Sequence, residues 1–131
     1  MKGEILEQVI LLAPDEAVRL NPDQLGQLYM QLGETGAEDI VCRAMEELAN
    51  RLELIEIQFR KGAFVEMRKN VRAMVAISEQ VGMQSLSNVA EQVLNCVDEN
   101  DSIALAATVA RLMRIGERSF SAIWELQDLS V

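Results

Sequence analysis

The sequence of 131 residues contains no histidine. A neutral imidazole is the general base of a Ser-His-Asp triad, the ligand in histidine-dependent metal motifs and the acceptor in histidine phosphorylation. All three kinds of chemistry are therefore excluded within this chain. No glycine-rich phosphate-binding loop occurs either, so we do not expect an enzyme.

Proline and aromatic residues are also scarce, with two prolines and 4% aromatic residues. Few strand cues remain, and alanine, leucine, methionine, glutamate and valine dominate, which favours helix. Half of the residues are hydrophobic and a quarter are charged, as in globular proteins. A chain of this length is typical of one domain. The composition therefore predicts a single all-α domain, residues 1–131.

Basic residues are the minority charge, 12 against 21 acidic ones, which gives a net charge of −9. An acidic chain repels phosphate backbones, so we expect no nucleic-acid partner. The longest apolar run, "ILEQVILLA", is short and interrupted by Glu7 and Gln8. It is too short for a membrane span, and no small-residue cleavage site follows. We expect a soluble cytoplasmic protein without a membrane partner, in which Cys42 and Cys96 are free, buried thiols.

Apolar residues spaced three and four apart predict six helical segments. They cover about residues 3–12, 21–32, 37–60, 63–81, 85–97 and 101–126. Asn21 is a predicted N-cap, with Pro22 at the first helical position, and Asp101 or Asn100 caps the last segment. Short connections favour antiparallel neighbours. We therefore predict an antiparallel up-down four-helix bundle over residues 36–128, preceded by an N-terminal helical extension over residues 1–34.

The apolar stripes of the last four segments predict the core of the bundle. The predicted core residues are Val41, Ala44, Leu48, Leu52, Ile55, Phe59, Phe64, Met67, Val71, Met74, Ser78, Val81, Leu86, Val89, Val93, Val97, Ala106, Ala110, Met113, Phe120, Ile123 and Trp124. Phe120 and Trp124 are expected in the core or at a seam between helices. The short N-terminal helices need a packing partner. They either cover the open end of the bundle or pair with a second copy in a homodimer through residues 1–34.

The stretch "RKGAFVEMRKNVRAMVAISEQVGMQSLSNVAEQVLNCVDENDSIAL" resembles the histidine phosphotransfer (HPt) domain family. That family has a glycine turn, a helix carrying A-H-x-L-K-G-x-A, a second glycine turn, a helix with spaced leucines and an acidic turn. Gly62 and Gly82 match the two turns, and Leu86 and Ala90 match the apolar positions that follow. The resemblance covers a little over half of the chain, from Leu54 to Leu126.

The most diagnostic residues of that family have changed in this chain. Arg72 stands at the phosphorylated histidine, and the other changed positions are Val71, Met74, Val75 and Ala76, in place of alanine, leucine, lysine and glycine. In the family the histidine attacks the aspartyl phosphate of a receiver domain. A guanidinium stays protonated and has no free lone pair, so it cannot do this. The resemblance therefore implies a binding module that has lost its catalytic step.

The resemblance implies that a docking surface survives on the helix around Arg72. Its predicted partner-binding residues are Arg68, Lys69, Arg72, Val75, Ala76 and Glu79. Five basic residues and one acidic residue lie between positions 60 and 72, and such a field steers an acidic partner. The implied partner is a receiver domain or a histidine kinase, whose phosphate transfer the chain would modulate. The alternative is that these arginines are solvated surface.

Two other interpretations remain. The chain could be a structural bundle that acts only as a scaffold or dimerisation unit. Four glutamates on one helix, Glu46, Glu47, Glu53 and Glu56, could also suggest a carboxylate-bridged metal centre. Such centres usually add histidines at Glu-x-x-His spacing, and none exists here. We therefore expect solvated glutamates, no metal and no cofactor.

Overall fold

The computed structural model of the chain describes the backbone of residues 18–130 and the side chains up to residue 125. Within that range it contains four helices and no strand: α1 (Pro22–Arg60), α2 (Phe64–Gln80), α3 (Gln84–Asp98) and α4 (Ser102–Ser130). The all-α four-helix prediction is confirmed. The first predicted helix, residues 3–12, lies outside the described residues.

Helix α1 begins at the predicted cap. The Oδ1 atom of Asn21 accepts hydrogen bonds from the backbone N–H groups of Asp23 at 3.1 Å and Gln24 at 3.2 Å, and Pro22 follows at the first helical position. The Nε2 atom of Gln24 donates to the carbonyl of Gln80 at 3.1 Å, which ties the start of α1 to the end of α2.

The predicted break between the second and third segments is a kink at one residue. Gly33 has φ 74° and ψ 173°, a conformation that is essentially restricted to glycine. The helix resumes directly afterwards and continues to Arg60. The third predicted segment therefore starts earlier than residue 37.

Three-residue turns connect the four helices, and each contains one residue with positive φ. These residues are Gly62 (69°), Gly82 (75°) and Asn100 (56°). In each turn a backbone N–H donates to the carbonyl of the residue five positions earlier. These bonds run from Ala63 to Gln58 at 2.9 Å, from Met83 to Ser78 at 2.8 Å and from Asp101 to Cys96 at 3.1 Å. These are the bonds of a Schellman-type helix end. Of the two predicted caps of α4, Asp101 is the one that bonds, through Oδ1 to the N–H of Ala104 at 3.1 Å.

Such short turns make consecutive helices antiparallel, and α1 also packs against α4, which closes the bundle. The predicted apolar stripes of α1, α2 and α3 largely form the core. On α4 the first half of the predicted stripe was wrong, because Ala106 and Ala110 are exposed, whereas Ile123 is buried as predicted. The other buried residues of α4 are Leu105, Val109, Leu112, Ile115 and Ser119.

Several predicted core residues are more exposed than expected. Phe64 is 41% exposed and Trp124 is 55% exposed, so neither belongs to the core, although Trp124 does lie at the seam between α1 and α4. Phe59 and Phe120 are half-buried against the core. The thiols of Cys42 and Cys96 are free, as expected, but only partly buried.

A short segment, residues 18–25, lies across the α2–α3 turn and is named here the N-terminal strap. The N–H of Asn21 donates to the carbonyl of Gly82 at 2.7 Å. Arg19 makes two bonds with Ser85, from its N–H to Oγ at 2.7 Å and from the N–H of Ser85 to its carbonyl at 3.2 Å. This part of the extension therefore covers the end of the bundle. Homodimerisation through residues 1–34 stays a prediction.

None of the helices in the described range combines the length and the apolar character needed to cross a lipid bilayer.

Candidate partner-binding site on α2

Helix α2 presents the predicted partner-binding residues on its side away from the core. Met67, Val71 and Met74 are fully buried. Because successive helical residues are rotated by about 100°, Arg72 points outward beside Val71 and is exposed, as its position predicts. Lys69, Ala76 and Glu79 are also exposed, whereas Arg68 and Val75 are half-buried. These six residues, named here the α2 face, lie on the solvent side and the α3 side of the helix.

Arg68 is held by a carboxylate of the neighbouring helix. Its Nε lies 2.8 Å from Oδ1 of Asp98 and its Nη2 lies 3.2 Å from Oδ2, a two-point contact between α2 and α3. The hydrogen bond from Arg68 is the main cause that lowers the pKa of the Asp98 carboxyl; desolvation opposes it, and the charges of Arg68 and Arg72 make smaller contributions that also lower this pKa. The same contact raises the pKa of Arg68. Arg68 therefore connects two helices, and its guanidinium is already occupied.

The five basic residues between positions 60 and 72 form a basic patch, but fewer of them are available to a partner than the sequence suggests. Arg60 forms an ion pair with Glu56 one turn earlier on α1, just as Arg68 pairs with Asp98. Within the part of the chain that the structure describes, Lys61, Lys69 and Arg72 form no ion pair. The cations available to a partner are therefore these three, and Arg72 is the one in the middle of the α2 face.

An exposed apolar residue that the sequence interpretation missed extends the α2 face. Val65 is 68% exposed and lies seven residues before Arg72, two helical turns away on the same side. Its spacing from Arg72 was the signal that could have identified it. Asp98 was also missed, because it lies 30 residues from Arg68 and no local pattern connects the two. The face therefore combines an apolar side chain, small residues and cations.

The opposite side of α2 is fixed to α1 by a buried polar contact. Asn70, 5% exposed, accepts a bond from Nη1 of Arg51 at 2.8 Å and donates through Nδ2 to the Arg51 carbonyl at 3.2 Å. Glu47 holds the same guanidinium at 2.9 Å. Arg51 of α1 and Asp98 of α3 therefore hold α2 from two sides.

The α2 face offers cationic hydrogen-bond donors. Arg72 offers a planar set of N–H donors with a permanent charge, suited to a carboxylate or a phosphoryl group. Among the described residues, no cluster of histidine, cysteine, aspartate or glutamate could hold a metal ion. Comparison with protein-family models, with curated proteins and with solved structures finds no match for this chain. The resemblance to the HPt family therefore rests on the residues quoted above.

Proposed function

We propose that this chain is a non-catalytic, HPt-like binding module that docks a receiver domain or a histidine kinase and modulates phosphate transfer between such proteins. The observation that carries the proposal is the position of Arg72. Arg72 is exposed at the middle of α2, between two glycine turns of a four-helix bundle. The HPt family, which this chain resembles, has its phosphorylated histidine at this position.

A guanidinium at this position supports binding without turnover. It donates bidentate hydrogen bonds to an acidic side chain or to a phosphoryl group, and it has no lone pair that could accept the phosphoryl group. A partner that docks here would have its acidic site occupied. It would stay bound, because no phosphoryl transfer can follow to release it. The module would thereby sequester its partner or slow its phosphate traffic.

The surroundings of Arg72 support close docking of a partner surface. Ala76, one turn later, is small and exposed, so that a helix or loop of the partner can approach the backbone of α2. Val65 and Val75 provide apolar contact on either side, and Lys69 adds a further cation. Lys69 and Arg72 favour an acidic partner and increase its association rate more than its affinity.

Titration of isotope-labelled protein with candidate receiver domains tests the proposal. We expect NMR shift changes centred on residues 65–79 of α2, with smaller changes at neighbouring positions of α3. Saturating shifts that are confined to other parts of the bundle would show that the α2 face is not the docking surface.

The substitution Arg72→Glu tests the role of the guanidinium itself. Removing one partner of a desolvated charge pair costs roughly 1–3 kcal/mol, which corresponds to a loss of affinity of roughly five- to 150-fold. Arg43→Glu is the matched control, because Arg43 is an exposed arginine of α1 that pairs with Asp39. We expect the control to bind normally by calorimetry. Equal losses in the two variants would indicate a general charge effect and contradict the proposal.

A further inference from the structure

A long groove follows the seam between α1 and α4, on a different side of the bundle from the α2 face. Two hollows of about 320 and 220 Å³ adjoin there and share Ala49 and Phe120. Their apolar lining includes Cys42, Met45, Met113 and the exposed ring of Trp124. None of the described residues covers this groove.

The packing of α1 against α4 explains why the groove exists. The two helices meet at Gly116, where any added Cβ atom would overlap Leu52. Ala49 is another small residue on the α1 side. Larger side chains, Phe120 and Trp124 among them, stand along the solvent edge of the seam. The seam is therefore closed at its base and open toward solvent.

Carboxylates line both edges of the groove. Glu46 and Glu53 lie on the α1 edge and Glu117 lies on the α4 edge; all three are exposed and form no ion pair within residues 18–125. A fourth glutamate, Glu56, pairs with Arg60. No basic side chain lines either hollow. A ligand that fits must therefore combine an apolar face with positive charge.

We propose that the α1–α4 groove binds an amphipathic helix of another protein, with lysine or arginine residues along both borders of its apolar face. From Met113 to Trp124 the groove follows about three turns of α4, or roughly 16 Å, which matches a short helix with apolar residues at i, i+3 or i+4, and i+7. The carboxylates on both edges pair with its cations and repel acidic helices and anionic membranes. This inference does not rest on the function proposed for the α2 face.

The fluorescence of Trp124 provides the test, because it is the only tryptophan of the chain. The probe is an 18-residue amphipathic peptide of leucine and lysine, and the control peptide has glutamate in place of every lysine. With the full-length protein we expect a saturable blue shift of the emission on adding the lysine peptide, since the ring is 55% exposed and becomes covered. The glutamate peptide is expected to cause no shift.

Variants locate the binding site. Reversal of an exposed ion pair costs about two- to fivefold in affinity, so Glu46→Lys combined with Glu53→Lys should weaken lysine-peptide binding by about four- to 25-fold. Ala49→Arg, which fills the middle of the groove and lowers its negative charge, should abolish the shift. Glu91→Lys is the matched control, because Glu91 is an exposed glutamate of α3 outside the groove, and it should bind normally.

Four outcomes would overturn the proposal. The glutamate peptide could shift the emission equally, or Glu91→Lys could weaken binding as much as the groove variants. A shift that depends on protein concentration without peptide, together with a doubled mass in sedimentation, would assign the groove to a second copy. The Trp124 emission of the free protein could already be blue-shifted and move to the red when residues 1–17 are deleted. That result would assign the groove to the chain's own N-terminus.

Discussion

Replacement of Gly82 by alanine tests whether the N-terminal strap presses on the α2–α3 turn. Gly82 has φ 75°, and a Cβ atom there would lie 2.9 Å from the carbonyl oxygen of Asn21. Gly62 in the α1–α2 turn is the matched control, because it has φ 69° and nothing lies within 4 Å of its Cβ position. The main difference between the two sites is that the strap covers Gly82 and nothing covers Gly62.

The expected costs follow from these two environments. An L-residue with positive φ costs about 1–2 kcal/mol, and this term is common to Gly62→Ala and Gly82→Ala. At Gly82 the strap must also move away, which weakens the 2.7 Å bond from the N–H of Asn21 to the Gly82 carbonyl. A hydrogen bond of this kind contributes about 0.5–1.5 kcal/mol. We expect Gly82→Ala to be the more destabilising by that amount.

Urea denaturation followed by circular dichroism measures both free energies of unfolding. The amide resonances of Arg19 and Asn21 provide a local readout, which should move in Gly82→Ala and stay in place in Gly62→Ala. Equal free energies for the two variants, with unmoved strap resonances, would refute the reasoning that the strap is packed against the turn.

Two further predictions concern the contacts that hold α2 in place. Arg68→Ala should return the lowered pKa of Asp98 toward its ordinary value, measured by carboxyl NMR. Because the pKa of Asp98 is lowered in the folded state, the Arg68–Asp98 pair stabilises the fold above the ordinary aspartate pKa. This stabilisation is lost as the pH falls through the lowered pKa. The stability difference between Arg68→Ala and the parent should therefore shrink in acid. Asn70→Ala should cost about 1–3 kcal/mol in urea denaturation, because it removes the two hydrogen bonds that join Asn70 to Arg51 of α1, each of which contributes about 0.5–1.5 kcal/mol. The exposed Asn50→Ala should change stability by less than about 0.5 kcal/mol; a loss equal to that of Asn70→Ala would contradict this reasoning.

Local signals predicted most of the fold. The Asn21 cap, the glycines at positions 62 and 82 and the Asp101 cap each act within a few residues, so the helix boundaries could be predicted closely. The stripes of α1, α2 and α3 were also informative, since most of the apolar residues that they placed inside, at spacings of three and four, are buried.

The register of α4 was predicted wrongly for a physical reason. Its first half, "SIALAATVARLM", has apolar residues on every side, so spacing alone cannot select the buried face. Alanine fits either environment. The prediction put Ala106 and Ala110 in the core, whereas the buried residues are their neighbours Leu105 and Val109. Packing volume decides between them, because leucine and valine fill the space that alanine would leave empty.

Contacts across long stretches of sequence could not be predicted. The ion pair of Arg68 with Asp98 needs two helices in a specific rotation, and the bond of Asn21 with Gly82 needs the chain to cross a distant turn. The groove edges share this property, since Glu53 and Glu117 line one hollow from the first and the last of the four helices. Sequence periodicity identifies a helix face, whereas tertiary packing determines what lies opposite it.

The three tight turns have a consequence for how the chain folds. Each turn brings helices adjacent in sequence together, so the loops that must close are short and cost little chain entropy. Proteins dominated by such local contacts fold in microseconds to milliseconds. Among the described residues, the α1–α4 seam and the strap are the contacts between elements that do not follow one another in the sequence, and we expect them to form last. The seam that carries the groove should then also be the first to separate when the bundle opens.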